Sequence, residues 1–246
     1  MSEFVAEFIG TCILMILGIA VNANVSLKGT YGKQSGWIVI TLGWGLAVFC
    51  AVTVAGPFSG AHINPAVSIG LATAGLFAWS KVPMFILAQL LGAMLGAGIV
   101  WLNFKNHFNA EEDAATKLGV FSTGPAIQDT LINFICEVTG TFVLLLVIMH
   151  ITQPQFSMQG MKQAKLGLGS VGAMPVAFLV IVIGMGLGGT TGYAINPARD
   201  LGPRVMHALL PIHGKGNSNW GYAWIPVFAP ITGGILAAWL KIGLAS

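Results

Sequence analysis

Charged residues are scarce in this chain: only 8% of its 246 residues are Asp, Glu, Lys or Arg, while 55% are hydrophobic. The mean hydropathy is +0.82. A water-soluble globule of this size needs many more charges to cover its surface, so the deficit excludes a soluble protein. The chain is therefore an integral membrane protein surrounded by the lipid bilayer. Because its basic residues are scattered, no nucleic acid is expected as a partner.

Cysteine is also rare, since only Cys12, Cys50 and Cys136 are present. All three lie in apolar segments without the spacing of a metal site, so we expect buried free thiols and neither a metal nor another cofactor. The sequence also shows no convergent set of a nucleophile and a base. We therefore expect no enzymatic activity.

The sequence lacks segments of about ten residues with alternating polarity, which excludes a transmembrane β-barrel. Its apolar runs are continuous and close to the ~20 residues that cross a hydrocarbon core of about 30 Å as a helix. The first run has no preceding basic segment and contains Glu7, so we interpret it as a retained helix rather than a cleaved signal. Six spans are predicted, at Phe4–Val25, Trp37–Ala55, Val82–Phe104, Leu131–Ile151, Leu168–Leu187 and Tyr222–Leu240.

An internal duplication is the most informative feature of the sequence. Asn-Pro-Ala occurs at residues 64–66 and 196–198, within the related segments SGAHINPAVSIG and TGYAINPARDLG. Glu7 of the first span recurs as Glu137 in the fourth, and Gly-Thr follows both at the same distance. We therefore predict a single domain over 1–246 that consists of two repeats. They cover 1–104 and 128–246 and are joined by a polar linker over 105–127.

Each repeat contains three spans and one apolar segment that is too short to cross the membrane. Asparagine followed by proline is typical of a helix start, so we predict half-helices over Pro65–Trp79 and Pro197–Leu210. Because three is odd, the second repeat enters the membrane from the opposite face. The predicted fold is an all-α integral membrane protein with six transmembrane helices and two re-entrant half-helices in an inverted 3+3 repeat. A second polar loop is predicted over 152–167.

The half-helices are expected to meet near the middle of the bilayer and to form a pore there. Asn64 and Asn196 would cap them with their side-chain oxygens and leave both amide hydrogens as donors, next to the positive ends of two helix dipoles. Such a pore centre orients hydroxyl groups and repels cations. The non-helical residues before each half-helix would line the pore with carbonyls, and these residues are Gly60, Ala61, His62, Gly192 and Ala194.

Ionisable groups at membrane depth are costly and usually functional, and the sequence has such groups at Glu7, Glu137 and Arg199. Arg199 stands where the first repeat has Val67, and we interpret it as a selectivity-filter residue. Glu7 and Glu137 are interpreted as structural buried carboxylates that accept hydrogen bonds from the pore loops. A proton relay in an ion-coupled transporter stays open as an alternative role for them.

The two Asn-Pro-Ala motifs, the repeated Glu-x-x-Gly-Thr and the six spans resemble the aquaporin superfamily of major intrinsic proteins over essentially the whole chain. Four residues match the outer constriction of that family: Trp44, Gly184, Tyr193 and Arg199. Water-selective members typically have histidine where Gly184 stands. Glycine leaves space there, which makes the chain similar to the glycerol-facilitator, or aquaglyceroporin, branch. Trp44 and Tyr193 would then form an apolar corner opposite Arg199.

The resemblance implies a right-handed helix bundle that acts as a passive channel for glycerol, other small uncharged solutes and water, and that excludes ions and protons. It also implies a homotetramer with one pore per subunit, in the inner or plasma membrane, with cytoplasmic termini. The distribution of basic residues does not by itself decide this orientation. The alternatives are a predominantly water-selective pore, an ion-coupled secondary transporter and a purely structural junction protein.

Overall fold

The computed structural model describes residues 1–152 and 167–245, and all regular structure in these ranges is helical. Six helices have the length and composition of membrane spans, with mean hydropathies of 1.6 to 2.4 over 18 residues. The predicted all-α fold with six membrane-length helices is therefore confirmed. The α-helices of the described ranges are α1 Glu3–Ser26, α2 Trp37–Ser59, α3 Pro65–Thr73, α4 Val82–Asn103, α5 Lys105–Ala110, α6 Ala114–Phe121, α7 Thr130–Ile148, α8 Met174–Leu187, α9 Pro197–Leu209 and α10 Ile225–Ala245.

The observed spans differ from the predicted ones mainly at their ends. The fourth ends at Ile148 rather than Ile151, because two turn residues follow it. The sixth begins at Ile225 rather than Tyr222, after a series of turns. The predicted polar loop over 152–167 lies outside the described residues except for its two end residues.

The two halves of the bundle are packed in the same way and are interlocked. Helix α1 packs against α4 in the first half, and α7 packs against α10 in the second. Each half-helix contacts the last span of the other half, since α3 packs on α10 and α9 packs on α4. A Cβ atom added to Gly202 of α9 would lie 2.7 Å from the Cβ atom of Ala93 in α4, so only glycine allows this approach. The half-helices are thus held by both halves.

The half-helices begin where the sequence predicts, at Pro65 and Pro197. Helix α3 ends at Thr73, however, and the predicted end at Trp79 is wrong. The chain leaves the helix at Gly75, whose φ of +73° is the left-handed conformation that commonly terminates helices. Helix α9 ends one residue before its predicted end.

The segment between the halves contains two short helices, α5 and α6, that the sequence reading does not predict. Asp113 caps α6 by accepting the backbone N–H groups of Ala115 at 3.2 Å and Thr116 at 2.9 Å. Helix α6 packs against α1 and the half-helix α9. The segment therefore covers one end of the bundle, which we call the linker side.

Candidate permeation pathway

The two loops before the half-helices have the same unusual backbone conformation. Left-handed φ angles between +38° and +82° occur at equivalent positions, which are Gly60, Ala61 and Ile63 in the first loop and Gly192, Tyr193 and Ile195 in the second. Such angles are outliers for β-branched residues such as isoleucine and cost energy. Both loops therefore need support from the surrounding helices.

Glu7 supplies this support in the first loop. Its Oε1 atom accepts the hydroxyl of Ser59 at 2.6 Å and the backbone N–H of His62 at 2.9 Å. Its Oε2 atom accepts the backbone N–H of Ile63 at 2.7 Å and the side-chain amide of Gln89 at 2.8 Å. The carboxylate is fully buried, so these four donors replace its hydration.

Glu137 has the corresponding contacts in the second loop. Its Oε1 atom accepts the hydroxyl of Thr191 at 2.6 Å and the backbone N–H of Ala194 at 2.9 Å. Its Oε2 atom accepts the backbone N–H of Ile195 at 2.9 Å. The two carboxylates thus hold the loops from equivalent positions on α1 and α7.

Asn64 and Asn196 lie where the two half-helices meet. Each side-chain oxygen caps its own half-helix by accepting the backbone N–H two residues on, at 2.9 Å and 3.0 Å respectively. Each side-chain nitrogen donates to the opposite loop, from Asn64 to the carbonyl of Ile195 and from Asn196 to that of Ile63, both at 2.8 Å. The expectation that both amide hydrogens stay free is wrong, because the loops approach each other closely. One amide hydrogen per asparagine remains for a passing solute.

Two cavities follow one another along these loops. The central cavity has a volume of about 150 Å³ and is lined by both asparagines and by many apolar side chains. The linker-side cavity has a volume of about 270 Å³ and is lined partly by the segment between the halves. Trp44, Tyr193 and Arg199 line both cavities and therefore lie between them. Of the predicted carbonyl residues, Gly60, Ala61, His62 and Ala194 line the central cavity and Gly192 the linker-side one.

Arg199 is in direct contact with Trp44 between the cavities. Its guanidinium carbon lies 4.1 Å from the centre of the indole ring, and its Nη1 atom donates to the carbonyl of Phe121 at 3.1 Å. The expectation that Arg199 faces Trp44 across the pore is therefore wrong. A guanidinium group is attracted to the face of an indole, so the two side chains stack.

The space beside Gly184 is occupied by the ring of Tyr193. A Cβ atom at Gly184 would lie 2.8 Å from the Cζ atom of Tyr193 and 2.9 Å from a methyl group of Thr41. Trp37 fixes the same corner, because its indole donates to the carbonyl of Gly184 at 2.9 Å and its ring meets that of Tyr193 edge-on at 5.8 Å. The sequence predicts that glycine leaves free space in the pore at this position. In the structure that space is instead filled by the aromatic ring of Tyr193, so the glycine does not directly widen the pore.

His62 lies in the wall of the central cavity and is tightly held. Its Nδ1 atom is 3.0 Å from the hydroxyl of Ser68. Its ring contacts those of Phe77 and Phe85, at centroid distances of 4.5 and 4.9 Å. These contacts fix the imidazole in one position beside the loop.

The sequence reading missed an ion pair that ties the linker to α9. Asp200 accepts the backbone N–H and the hydroxyl of Thr123, both at 2.7 Å, and Arg204 donates its Nε–H to Asp200 at 2.8 Å. Arg204 also donates to the carbonyl of Thr123 at 2.8 Å. All three residues are buried, so the linker is fixed beside Arg199. The sequence does indicate this ion pair, because Asp200 and Arg204 have opposite charges at i, i+4 spacing within the predicted half-helix.

Comparisons with known proteins agree with this geometry. The family model described as major intrinsic protein matches residues 1–241. The chain is 54% identical over 237 residues to a glycerol uptake facilitator protein of Streptococcus pneumoniae, covering 96% of this chain and 97% of that one. A glycerol uptake facilitator protein of Bacillus subtilis is 52% identical, with coverage of 95% and 81%. The crystal structure of the aquaglyceroporin from Plasmodium falciparum superimposes with a TM-score of 0.78 at 32% identity, covering 96% of this chain and 93% of that one. The duplicated half-helices and the match over nearly the whole length thus lead to one conclusion: this chain belongs to the major intrinsic protein family, the aquaporin superfamily.

Proposed function

We propose that this protein is a passive transmembrane channel for glycerol, other small uncharged solutes and water. The observation that carries the proposal is the constriction between the two cavities, where Arg199 places N–H donors beside the rings of Trp44 and Tyr193. A polyol needs both surfaces, because its hydroxyl groups require hydrogen-bond partners and its carbon backbone does not. Relatives with 52% and 54% identity carry the name glycerol uptake facilitator, which supports the same class of solute.

In the proposed pathway the pore centre contributes the exclusion of protons. One free amide hydrogen each from Asn64 and Asn196 donates to the oxygen of a passing hydroxyl, so that oxygen cannot accept a proton from its neighbour in the file. The N-terminal ends of α3 and α9 each add about half a positive charge at this point. The carbonyls of the two loops accept the hydrogens of the solute on either side of the centre.

Glu7 and Glu137 have a structural role in this proposal. Each accepts hydrogen bonds from a loop whose backbone is strained, and their equivalent positions match the duplication of the chain. The solute gradient alone then drives transport. The proposed organisation is two repeats, 1–104 and 128–246, joined by 105–127.

The assembly and location proposed for the channel follow the family expectation. Each subunit of a homotetramer would contain its own pore. The protein would lie in the inner or plasma membrane, with both termini in the cytoplasm and the linker side facing outward.

The test is glycerol flux into proteoliposomes, measured by stopped-flow light scattering, with a pore-blocking variant and a matched control. Val52 lines the central cavity, so Val52→Trp is expected to lower glycerol permeability more than tenfold. Val54 lies on the same helix but is 38% exposed on the bundle surface, so Val54→Trp is expected to keep wild-type flux. Wild-type flux no higher than that of empty liposomes would refute the channel. Flux that requires a proton or sodium gradient would favour the coupled transporter.

A second prediction concerns the corner behind Tyr193. Gly184→Ala places a methyl group 2.8 Å from the Tyr193 ring, so the ring must move, and we expect glycerol permeability to fall severalfold. Gly186→Ala on the same helix is the control, because a Cβ atom there has no neighbour within 4 Å among the described residues. Equal permeability of the two variants would mean that the position of Tyr193 does not limit passage.

A further inference from the structure

Asn22 is a buried amide near the end of the apolar helix α1, with 7% of its surface exposed. Its Oδ1 atom accepts the indole N–H of Trp44 at 3.0 Å. Its Nδ2 atom donates to the backbone carbonyl of Val120, in the linker, at 3.3 Å. An indole N–H only donates and a carbonyl only accepts, so these two partners permit only one orientation of the amide. Both the oxygen and the nitrogen of the Asn22 amide are therefore hydrogen-bonded.

The Trp44 ring is held by three different contacts. One side packs on Gly18, where a Cβ atom would come within 2.4 Å of the indole ring. The guanidinium group of Arg199 lies 4.1 Å from the ring centre. The hydrogen bond to Asn22 is the directional contact of the three, because it fixes where the N–H edge of the ring points. Without it, packing alone would set the orientation of the ring.

The same residues form a closed ring of contacts that includes two residues of the linker. Asn22 bonds to the carbonyl of Val120, and Arg199 bonds to the carbonyl of the next residue, Phe121, at 3.1 Å. Both linker residues are fully buried at the end of α6. The ring of contacts therefore consists, in order, of Asn22, Trp44, Arg199, Phe121 and Val120, which bonds back to Asn22. A change at one member alters the relative placement of the others.

We infer that Asn22 is a positioning residue of the constriction, which sets the orientation of Trp44 against Arg199 and couples it to the linker. This inference rests on the proposed function, because it concerns the solute selectivity of that channel. A fixed indole keeps the apolar wall at one distance from the donors, which favours the short glycerol molecule over longer polyols. Asn22 also lines the linker-side cavity. A double-mutant cycle with Trp44 therefore separates its action through the indole ring from direct contact with the solute.

The experiment compares the permeabilities of proteoliposomes to glycerol and to erythritol, the next longer polyol. Asn22→Leu keeps the size of the side chain and removes both hydrogen bonds. We expect the glycerol-to-erythritol permeability ratio to fall about fivefold, the equivalent of one ordinary hydrogen bond. The control is Asn133→Leu, because Asn133 is also a buried amide that bridges two partners, Ile127 and Asp129, at the start of α7. Its ratio is expected to equal that of the wild type.

A double-mutant cycle separates this role from a general loss of stability. Trp44→Phe removes the indole N–H while keeping a ring beside Arg199. Asn22→Leu is then expected to change the ratio much less in the Trp44→Phe background than in the wild type, because the indole partner is already missing and only the bond to Val120 remains. Additive effects of the two substitutions would overturn the inference. Asn22→Ala takes the place of the leucine variant in the cycle if the latter does not fold.

The outcomes also distinguish this inference from the proposed function. A wild type without glycerol flux would refute the channel itself. A conducting wild type, together with an Asn22→Leu ratio equal to that of Asn133→Leu, would overturn only the role of Asn22. A lowered ratio that is specific to Asn22, and that is much less pronounced in the Trp44→Phe background, supports it.

Discussion

Glu137→Leu is expected to abolish glycerol flux, so that proteoliposomes containing this variant shrink and re-swell like empty ones. The substitution leaves three buried donors without an acceptor: the hydroxyl of Thr191 and the backbone N–H groups of Ala194 and Ile195. Each unsatisfied buried group costs about 1–3 kcal/mol. The total of ~3–9 kcal/mol is a large part of the ~5–15 kcal/mol that stabilises a typical domain. The loop therefore leaves its strained conformation, and the pore carbonyls turn away with it.

Two comparisons make this result specific. Glu3→Leu is the control, because the side chain of Glu3 is 37% exposed and its ion-pair partner among the described residues is the exposed Lys81. Flux is therefore expected to stay within about twofold of wild type. Glu137→Gln keeps one acceptor oxygen but turns an amide group toward the N–H of Ile195, and an intermediate flux is expected. Normal glycerol flux in Glu137→Gln together with lost proton-dependent uptake would instead support a proton relay. Size-exclusion profiles of the purified variants report whether the fold is retained.

Glu7→Leu, the equivalent substitution in the first half, tests whether the two duplicated carboxylates have the same role. Glu7 supports its loop through the backbone N–H groups of His62 and Ile63 in the same way. It has one further donor, the amide of Gln89. Glu7→Leu is therefore expected to be at least as damaging as Glu137→Leu. A mild effect at Glu7 would mean that the first loop has another support.

The sequence was sufficient to predict the architecture because the duplicated features are local and in register. Asparagine followed by proline predicts a helix start wherever it occurs, and two such starts within an odd-numbered repeat predict half-helices that meet. The roles expected for Glu7 and Glu137 depended only on an expensive charge recurring at equivalent positions. These inferences needed no knowledge of side-chain packing.

The shape of the constriction could not be predicted in the same way. Whether Arg199 faces Trp44 or stacks on it depends on the carbonyl of Phe121, which lies 78 residues away in the linker. The sequence of the linker does not show which helices its two short helices pack against. Gly184 likewise indicates free space but not its occupant, because the ring of Tyr193 reaches it through a left-handed backbone conformation. Contacts of this kind arise from tertiary packing and have no local pattern.

Asn22 is a polar residue whose importance can be inferred in part from the sequence. A polar amide in an apolar span must find partners, because a buried amide without hydrogen bonds is costly. The sequence shows that such partners exist but not which residues they are. Gln89 is a second example, since its amide donates to both Glu7 and Ser68. Isolated polar residues in the spans thus mark tertiary hydrogen bonds even when they lie outside the duplicated motifs.

Arg199→Ala is expected to increase the leak of protons through the channel by at least about fivefold while reducing its preference for glycerol over erythritol. A unit charge 4 Å from a permeating cation contributes about 1 kcal/mol of repulsion in water and about 4 kcal/mol at the effective dielectric of a protein surface. Removing Arg199 therefore lowers the barrier for cations by an amount within this range. The same change frees the face of Trp44 and the carbonyl of Phe121, so the wall of the constriction loses its defined position. A pH-sensitive dye inside proteoliposomes reports the leak, and light scattering reports the two polyols.

Arg199→Lys separates the charge from the geometry at this position. Lysine keeps the positive charge but lacks the planar group that stacks on Trp44 and donates to Phe121 in a fixed direction. The proton leak of this variant is expected to stay close to that of the wild type, while its glycerol-to-erythritol ratio falls nearly as far as in Arg199→Ala. If the alanine variant leaks no more protons than the wild type, the barrier lies instead at the pore centre, with the two helix dipoles and the amides of Asn64 and Asn196. In that case Arg199 acts only on the shape of the constriction, and the lysine and alanine variants should have the same solute profile.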